Sequence, residues 1–317
     1  MSFPRPTTYN PQPITINGIF ASDHSWTATL SAEKLLTITA VGDIMLGREI
    51  TSKHLLSGYN YLYASVSGIL SSADITIGNL ETPITSDCQP RSTGMVFCAP
   101  TAHLPPLAAS GIDILSLGNN HAYDQGESGI NFSLQGIASV GLTALPPNVA
   151  QFVTIKNYNI AFIPFSFIPG LKQITPSEQE IKKLISSASL SSDLVIIIPH
   201  WGVEYTYQPS QEQVRLAHLF IDSGADLILG SHPHWIQPVE IYQDKLIVYS
   251  HGNFIFDQFW SQKTQEGIIG DYIFYGNQLI DARFTPTRIF PDGHPQIIPE
   301  QKAKAILDSM YSASWQK

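Results

Sequence analysis

The chain has 317 residues, 43% of them hydrophobic and 14% charged, which is enough for one large domain or two ordinary ones and too apolar for overall disorder. Seventeen Lys and Arg against twenty-six Asp and Glu leave a net charge of −9, so no global positive field exists to hold nucleic acid or an anionic membrane surface. The longest apolar run, Leu194 to Ile198, falls far short of the roughly 20 residues that span a bilayer.

No basic stretch followed by an apolar one opens the chain, so no secretory leader is visible in it. Residues 1–35 are rich in Pro, Thr, Ser and Asn without a helical period and read as an extended N-terminal arm. From Leu36 on, short apolar, β-branched runs alternate with helical patterns. The runs Thr37–Val41, Asp74–Ile77, Ile112–Leu117, Asn159–Phe165, Asp193–Ile198, Asp226–Leu229 and Leu246–Tyr249 read as strands. Strands alternating with helices predict an α/β fold whose sheet is covered on both faces. The spacing of Ile130, Leu134, Ile137 and Ala138 after Gly126 predicts a helix. Thr175-Pro176-Ser177-Glu178 reads as a capping box with proline in the first turn, ahead of Ile181, Leu184, Ile185 and Ala188 on one face. Ser210 with Gln213 repeats the box before Val214, Ala217 and Ile221, and Gly224 ends that helix. A last helix, about Glu300 to Ser314, docks back on the body, so residues 36–317 read as a single domain.

Cys88 and Cys98 lie in a loop with Pro90 and Gly94. Paired, they close a small ring suited to an oxidising compartment; unpaired, they are ordinary thiols of a cytosolic protein. The sequence supports both readings.

Polar residues able to bind metal follow six of the strands at once. They are Asp43 after Gly42, Asn79 and Glu81 after Gly78, Asn120 and His121 after Gly118-Asn119, His200 with Trp201 after Pro199, His232 and His234 after Gly230-Ser231, and His251 and Asn253 after Ser250. In open α/β sheets ligands bind beyond the carboxyl ends of strands, where glycine lets the backbone turn and approach closely. Asp, Glu, Asn and His together form an oxygen and nitrogen set suited to Mn, Fe, Zn or Mg. Two ions about 4 Å apart, bridged by a carboxylate, polarise both water and substrate, so a dinuclear hydrolase is the natural inference.

Each fragment has a plainer explanation. A lone Asp after a strand is usually a helix cap, and Asn120-His121 or Gly252-Asn253 can be simple turns. His232-Pro233-His234 is sharper, because residues i and i+2 of an extended stretch point the same way. Trp201, Glu204 and Tyr205 either line the crevice or pack its wall. Arg48 and Arg91 are candidates to hold a substrate anion. His24, His54, His103, His218 and His294 lack a strand-end context and read as structural or exposed.

Taken together, the segment Ala40 to Arg48 (AVGDIMLGR), Asn79-Leu80-Glu81, Gly118 to His121, His200 to Tyr205, Gly230 to His234 and Gly252 to Phe254 resemble the CapA family. That family is associated with bacterial poly-γ-glutamate capsule synthesis and is similar to the calcineurin-like metallophosphoesterases. The resemblance covers about Leu36 to Gln258 and continues toward Trp315. It implies a layered metallophosphoesterase-like fold, with mixed sheets flanked by helices, and one or two divalent metal ions held by Asp43, Glu81, Asn120, His200, His232 and His234. His121 would serve as the acid at the leaving group and Arg48 would neutralise substrate charge, with Asn79, Trp201, Glu204, His251 and Asn253 around the substrate. Met45 stands where the phosphoesterase pattern has a metal-binding His, and Glu81 where it has a bridging Asp. A thioether is a poor ligand for hard cations, so His251 is the candidate replacement.

Two functions follow from the resemblance. One is a metal-dependent hydrolase that directs water at a phosphoester or amide of poly-γ-glutamate or another envelope polymer. The other is a non-catalytic component that binds or exports an anionic polymer. Both imply an extracytoplasmic place and contact with membrane-bound capsule synthesis machinery, and neither calls for nucleic acid.

Overall fold

The computed structural model describes residues 11–54, 58–89, 91–170 and 175–317. Strand periodicity decides how they stack. Along Leu194–His200, the residues Leu194, Ile196 and Ile198 face one core while Val195 and Ile197 face another, and all five are buried. The period of two forces this split on any strand covered on both sides. Tyr158–Ser166 divides the same way, Ile160 and Phe162 from Ala161, Ile163 and Phe165, as does Leu227–Leu229.

The first set of side chains meets Leu36, Ile38, Ile75 and Ile114 of a second sheet. The second set lies under the helices Glu178–Ser189 and Gln211–Asp222, against Ile181, Ile185, Ala217 and Phe220. The strands covered on both faces therefore belong to two sheets, each with one face on the other sheet and one on helices, as the mixed sheets flanked by helices implied by the resemblance require. Alternation shows that a strand is covered twice but not by what, so one sheet could not be told from two.

One sheet has eight strands. In spatial order seven of them run Pro295–Ile297, Gln278–Ile289, Glu266–Tyr275, Leu35–Ile44, Ile75–Leu80, Ile114–Ser116 and Thr143–Leu145, and Asn253–Ile255 adds to Leu35–Ile44. The other sheet has seven, ordered Trp315–Gln316, Val239–Tyr242, Lys245–Val248, Leu227–Leu229, Leu194–His200, Tyr158–Ser166 and Gln151–Ile155. Neighbouring strands in the middle of each sheet are parallel, so their carboxyl ends lie along one edge. At the opposite ends, aspartates tie strand to strand: Asp74, Asp113, Asp193 and Asp226 accept the backbone N–H of Thr37, Thr76, Asn159 and Val195 at 2.7–2.9 Å.

The capping box of Glu178–Ser189 forms on Ser177 and Glu180, two residues later than the Thr175 box expected, because Ser177 takes the extended conformation a cap needs. Ser210 and Gln213 cap Gln211–Asp222 as expected, and Gly224 follows its end at φ +112. The helices Gly126–Ser139 and Glu300–Ala313 also form. The arm is not extended over residues 11–34. It holds the helix Ile16–Ile19, capped by Thr15, and short 3-10 turns, because Ile14 and Ile19 have core surface to bury against. Its residues 1–10 lie outside the described residues, as does Pro90. Cys88 and Cys98 form a disulfide. Among the described residues no helix is long and apolar enough to cross a membrane.

Gly42 marks where the two sheets are joined. A Cβ there would sit 1.9 Å from the carbonyl oxygen of Gly252, which accepts the N–H of Asp43 at 3.0 Å. Gly42→Ala is expected to cost about 2 kcal/mol or more by overpacking, read as a fall of several degrees in Tm. Gly68, in the helix Ser67–Leu70 with nothing within 4 Å of its added Cβ, gives the control: Gly68→Ala should leave Tm unchanged or raise it.

Candidate functional site

Six strand ends meet at the shared edge, three from each sheet. Asp43, Asn79 with Glu81, and Asn119 to His121 come from the eight-stranded sheet; His200, Ser231 to His234, and the segment from Ser250 that follows Lys245–Val248 come from the seven-stranded one. After Lys245–Val248 the chain leaves one sheet, and by Asn253–Ile255 it has paired with the other, setting Asn253 opposite Asp43. This crossing carries donors of both sheets to one place.

The donors are buried and close. Glu81, His200 and His232 form one group whose ligand atoms lie within 4.8 Å of one another; Asp43, Glu81 and His234 form a second, and Glu204, His232 and His234 a third. Glu81 belongs to the first two. Its Oε1 stands 3.6 Å from His200 Nε2 and 4.0 Å from His234 Nε2, while its buried Oε2 has no hydrogen-bond partner. His200 Nε2 lies 3.2 Å from His232 Nδ1 and 2.8 Å from Asn120 Oδ1. His234 Nδ1 is 3.2 Å from Asp43 Oδ2 and 2.9 Å from Asn253 Oδ1.

The imidazoles of the His-Pro-His segment do not converge through strand alternation, as expected, because the segment is a turn. His232 has φ 96 and His234 φ 57, conformations rarely taken by side-chain-bearing residues. Strain of this kind persists only where the surroundings over-determine it. Here the His232 N–H donates to Asp43 Oδ2 at 3.2 Å.

Electrostatics favours a cation. Burial raises Glu81 well above the usual carboxylate range and the neighbouring Asp43 adds to it, with His234 opposing. Burial holds His200 well below the imidazole range, and holds His232 down at about 3, with the other imidazoles adding to both shifts. Burial alone would also depress His234, but Glu81 and Asp43 override it and lift His234 to about 9. The shifts share one cause, two buried carboxyl groups facing each other with too little positive charge nearby, a condition that a bound cation would relieve.

His121 stands beside this cluster. Its Nδ1 lies 2.8 Å from Asp124 Oδ2 and its Nε2 3.7 Å from Glu81 Oε1. With Nδ1–H donating to the carboxylate, Nε2 is left facing the donor cluster. The ring stacks on Phe97 at 4.0 Å, which fixes its plane.

Several sequence-based expectations are corrected by these contacts. Trp201 does not face substrate: it is fully buried, donates to the carbonyl of Tyr249 and stacks on Phe220 under the helices. His251, the candidate replacement ligand, falls in none of the three donor groups, and its two ring nitrogens face Gly230 O and Tyr272 Oη at 3.1 and 2.6 Å. Asn79 and Asn253 are buried struts, Asn79 donating to Asp43 Oδ1 and Asn253 holding His234 while donating to Thr264 O. The Arg48 charge is already met by a bidentate pair with Asp257. Met45 turns away, its sulfur accepting the Gly47 N–H at 3.1 Å in the core under the flanking helices. Glu204, weighed as crevice lining or wall, reaches His232 and His234 as a donor.

Four supporting residues had no role assigned from sequence. Asn119 donates to Asn79 Oδ1 and Leu80 O and accepts the His121 N–H; Ser231 Oγ sits 2.9 Å from His200 Nδ1. Asp124 lies three residues after His121, a spacing that offered a signal, whereas Phe97 offered none.

A family model described as Bacterial capsule synthesis protein PGA_cap matches residues 37–258. The chain is 29% identical over 313 residues to the capsule biosynthesis protein CapA of Bacillus anthracis, covering 89% of this chain and 75% of that protein. It is 29% identical over 257 residues to the PGA biosynthesis protein CapA of Bacillus subtilis (strain 168), covering 75% and 68% respectively. A crystal structure described as a novel phosphatase from Mycoplasma pneumoniae shares the fold with a TM-score of 0.56 at 15% identity, over 80% of this chain and 93% of that one. A hypothetical protein from Thermus thermophilus does so at 0.54 and 14% identity, over 79% and 98%. The layered fold of mixed sheets flanked by helices, expected from the resemblance, is the fold the chain adopts and shares with these two structures.

Burial pushes His251 down to about 4, so the folded chain keeps this ring neutral where the unfolded chain, near 6.5, takes up a proton. The His251 contribution is present above pH 6.5 and is lost as pH falls toward 4. Urea midpoints measured across that window should therefore decline with acid, and His251→Gln should show a shallower decline from a lower starting stability. An identical slope in the two proteins would contradict the assignment.

Proposed function

The chain belongs to the PGA_cap family of bacterial capsule synthesis proteins, and from that premise we propose that it is a metal-dependent hydrolase acting on poly-γ-glutamate or a related envelope polymer. The observation that carries this reading is the buried, unpartnered Glu81 Oε2 at the junction of two donor groups. A buried carboxylate oxygen without a partner is costly, and a cation shared between the groups would satisfy it. The donor set fits divalent ions of the Mn, Fe, Zn or Mg type.

Asp43, Glu81 and His234 would hold one ion, and Glu81, His200 and His232 a second, with Asn120 and Glu204 at the margins. A bound divalent ion supplies Lewis-acid polarisation and makes water more acidic. The protein's own groups do the rest. Ser231 and Asn120 fix the ring of His200, Asn253 fixes that of His234, and Asn79 keeps Asp43 in place. Water adds to phosphorus or to the carbonyl carbon and gives up one proton to solvent, the bond to the leaving oxygen or nitrogen breaks, and His121, acting as its imidazolium, delivers its Nε2 proton to that atom and later regains one from solvent. Asp124 steadies the imidazolium meanwhile.

Two features support an extracytoplasmic place in contact with the capsule machinery. The relatives are named for capsule and PGA biosynthesis, and the Cys88–Cys98 disulfide suits an oxidising compartment.

Protein purified without chelators should carry near-stoichiometric divalent metal by plasma mass spectrometry, and the double change His232→Ala with His234→Ala should strip it. A wild-type chain that purifies empty ends the proposal. With Mn²⁺ added, His121→Ala should keep its metal while turnover of a γ-glutamyl amide or generic phosphodiester falls roughly 10²–10⁴-fold. Polymer binding with no turnover in either protein would establish instead a non-catalytic binding or export component.

A further inference from the structure

A second feature, outside the donor cluster, bears on how so acidic a protein handles an anionic chain. A groove of 480 Å³ runs between the C-terminal helix Glu300–Ala313 and the segment after His234, floored by Ile236, Ile298, Ile306 and Met310. Lys263, Arg288 and Lys302 line it, and among the described residues none of the three is within ion-pair distance of a carboxylate. Lys53, Lys156, Arg215, Lys245, Arg283 and Lys304 each pair with an acid, while Lys34, Arg91, Lys182, Lys183 and Lys317, like the groove cations, have no such partner among the described residues; what sets the groove apart is three such cations gathered over one apolar floor. Glu266 is the one carboxylate lining the groove, and it accepts from the Gln262 amide at 2.7 Å. Lys263 Nζ stands 4.5 Å from the ring of Trp235 and 5.5 Å from that of Tyr207, and Arg288 donates to Gln265 Oε1 at 3.0 Å. Trp235 directly follows His234 in the chain, so the groove borders the candidate site.

We propose that this groove binds a segment of γ-linked polyglutamate, its carboxylates on Lys263, Arg288 and Lys302 and its backbone methylenes on the isoleucine floor. The occupant rests on the capsule-polymer reading above; the groove itself rests on charge and shape. A net charge of −9 repels such a chain at long range, so capture needs a local reversal of field, and unpaired cations over an apolar floor provide one. In γ-linked glutamate each α-carboxylate branches from a main chain that carries two methylenes per residue, which matches a surface alternating charge with aliphatic contact.

The test is calorimetric titration of the full chain with a γ-linked glutamate decamer at low and high salt. Wild-type protein should bind, more weakly as salt rises. The combined change Lys263→Glu and Lys302→Glu, at exposed positions, should weaken binding roughly tenfold or more while metal content and turnover of a small phosphodiester stay at wild-type levels. Arg288→Gln should give a smaller loss in the same direction. Unchanged affinity in the double variant overturns the groove. So does binding to anionic phosphatidylglycerol vesicles with none to the decamer, or equal affinity for inorganic polyphosphate. The metal-stripped His232→Ala, His234→Ala protein separates the two proposals. Decamer binding that persists there leaves the groove standing whatever becomes of the hydrolase reading, and turnover without decamer binding in wild type removes the groove alone.

Discussion

Two carboxylates and three imidazoles share one buried pocket, and the rest of the architecture is arranged to keep them there. Asp43 and Glu81 are 0 and 1% exposed, and burying even one ionised carboxylate without compensation costs several kcal/mol. Part of that cost is offset by the imidazole of His234, which the two carboxylates push toward its protonated form, and by a fixed set of donors, the His232 N–H and the Asn79 amide on Asp43. The unmatched Oε2 of Glu81 shows that the compensation is incomplete within the protein itself.

Geometry of this kind needs rigid supports on every side, and a two-sheet sandwich supplies them. The donors sit on or just past strand ends whose other residues are locked in two cores, so their backbones have little freedom. The crossing near Gly252 brings the sheets so close that Gly42 has no room for a side chain. The aspartates at the opposite strand ends are equally acidic in composition but act as latches on neighbouring amides. Residue type alone therefore does not separate an acid that ties strands from one that binds a cation; position along the strand does.

Sequence reading located the expected strands to within a few residues and identified the polar segments that follow six of them. It was weakest where a residue's role depends on its neighbours in space. Trp201 and His251 follow strand ends as closely as His200 does, yet Trp201 packs behind the sheet and His251 is held by Tyr272, a residue 21 positions away. The hairpin of Glu266–Tyr275 and Gln278–Ile289 went unread although Gly276-Asn277 is a two-residue turn. Its many buried residues on both faces blur the alternation that marks a half-exposed strand.

What the amino-acid order determined by itself was local: the period of two along strands, the capping boxes on helices, and the placing of Asp, Glu, Asn and His just where strands stop. These depend on spacing along the chain, which the sequence carries in full. The tertiary structure alone decided that the strands divide between two sheets and that Glu81 sits between two donor groups. It also decided that Arg48 is neutralised by Asp257, more than two hundred residues away, while the three cations of the groove share it with one carboxylate, Glu266, that stands beyond ion-pair distance. Such pairings are set by which distant segments the packing brings together, and no spacing along the chain records them.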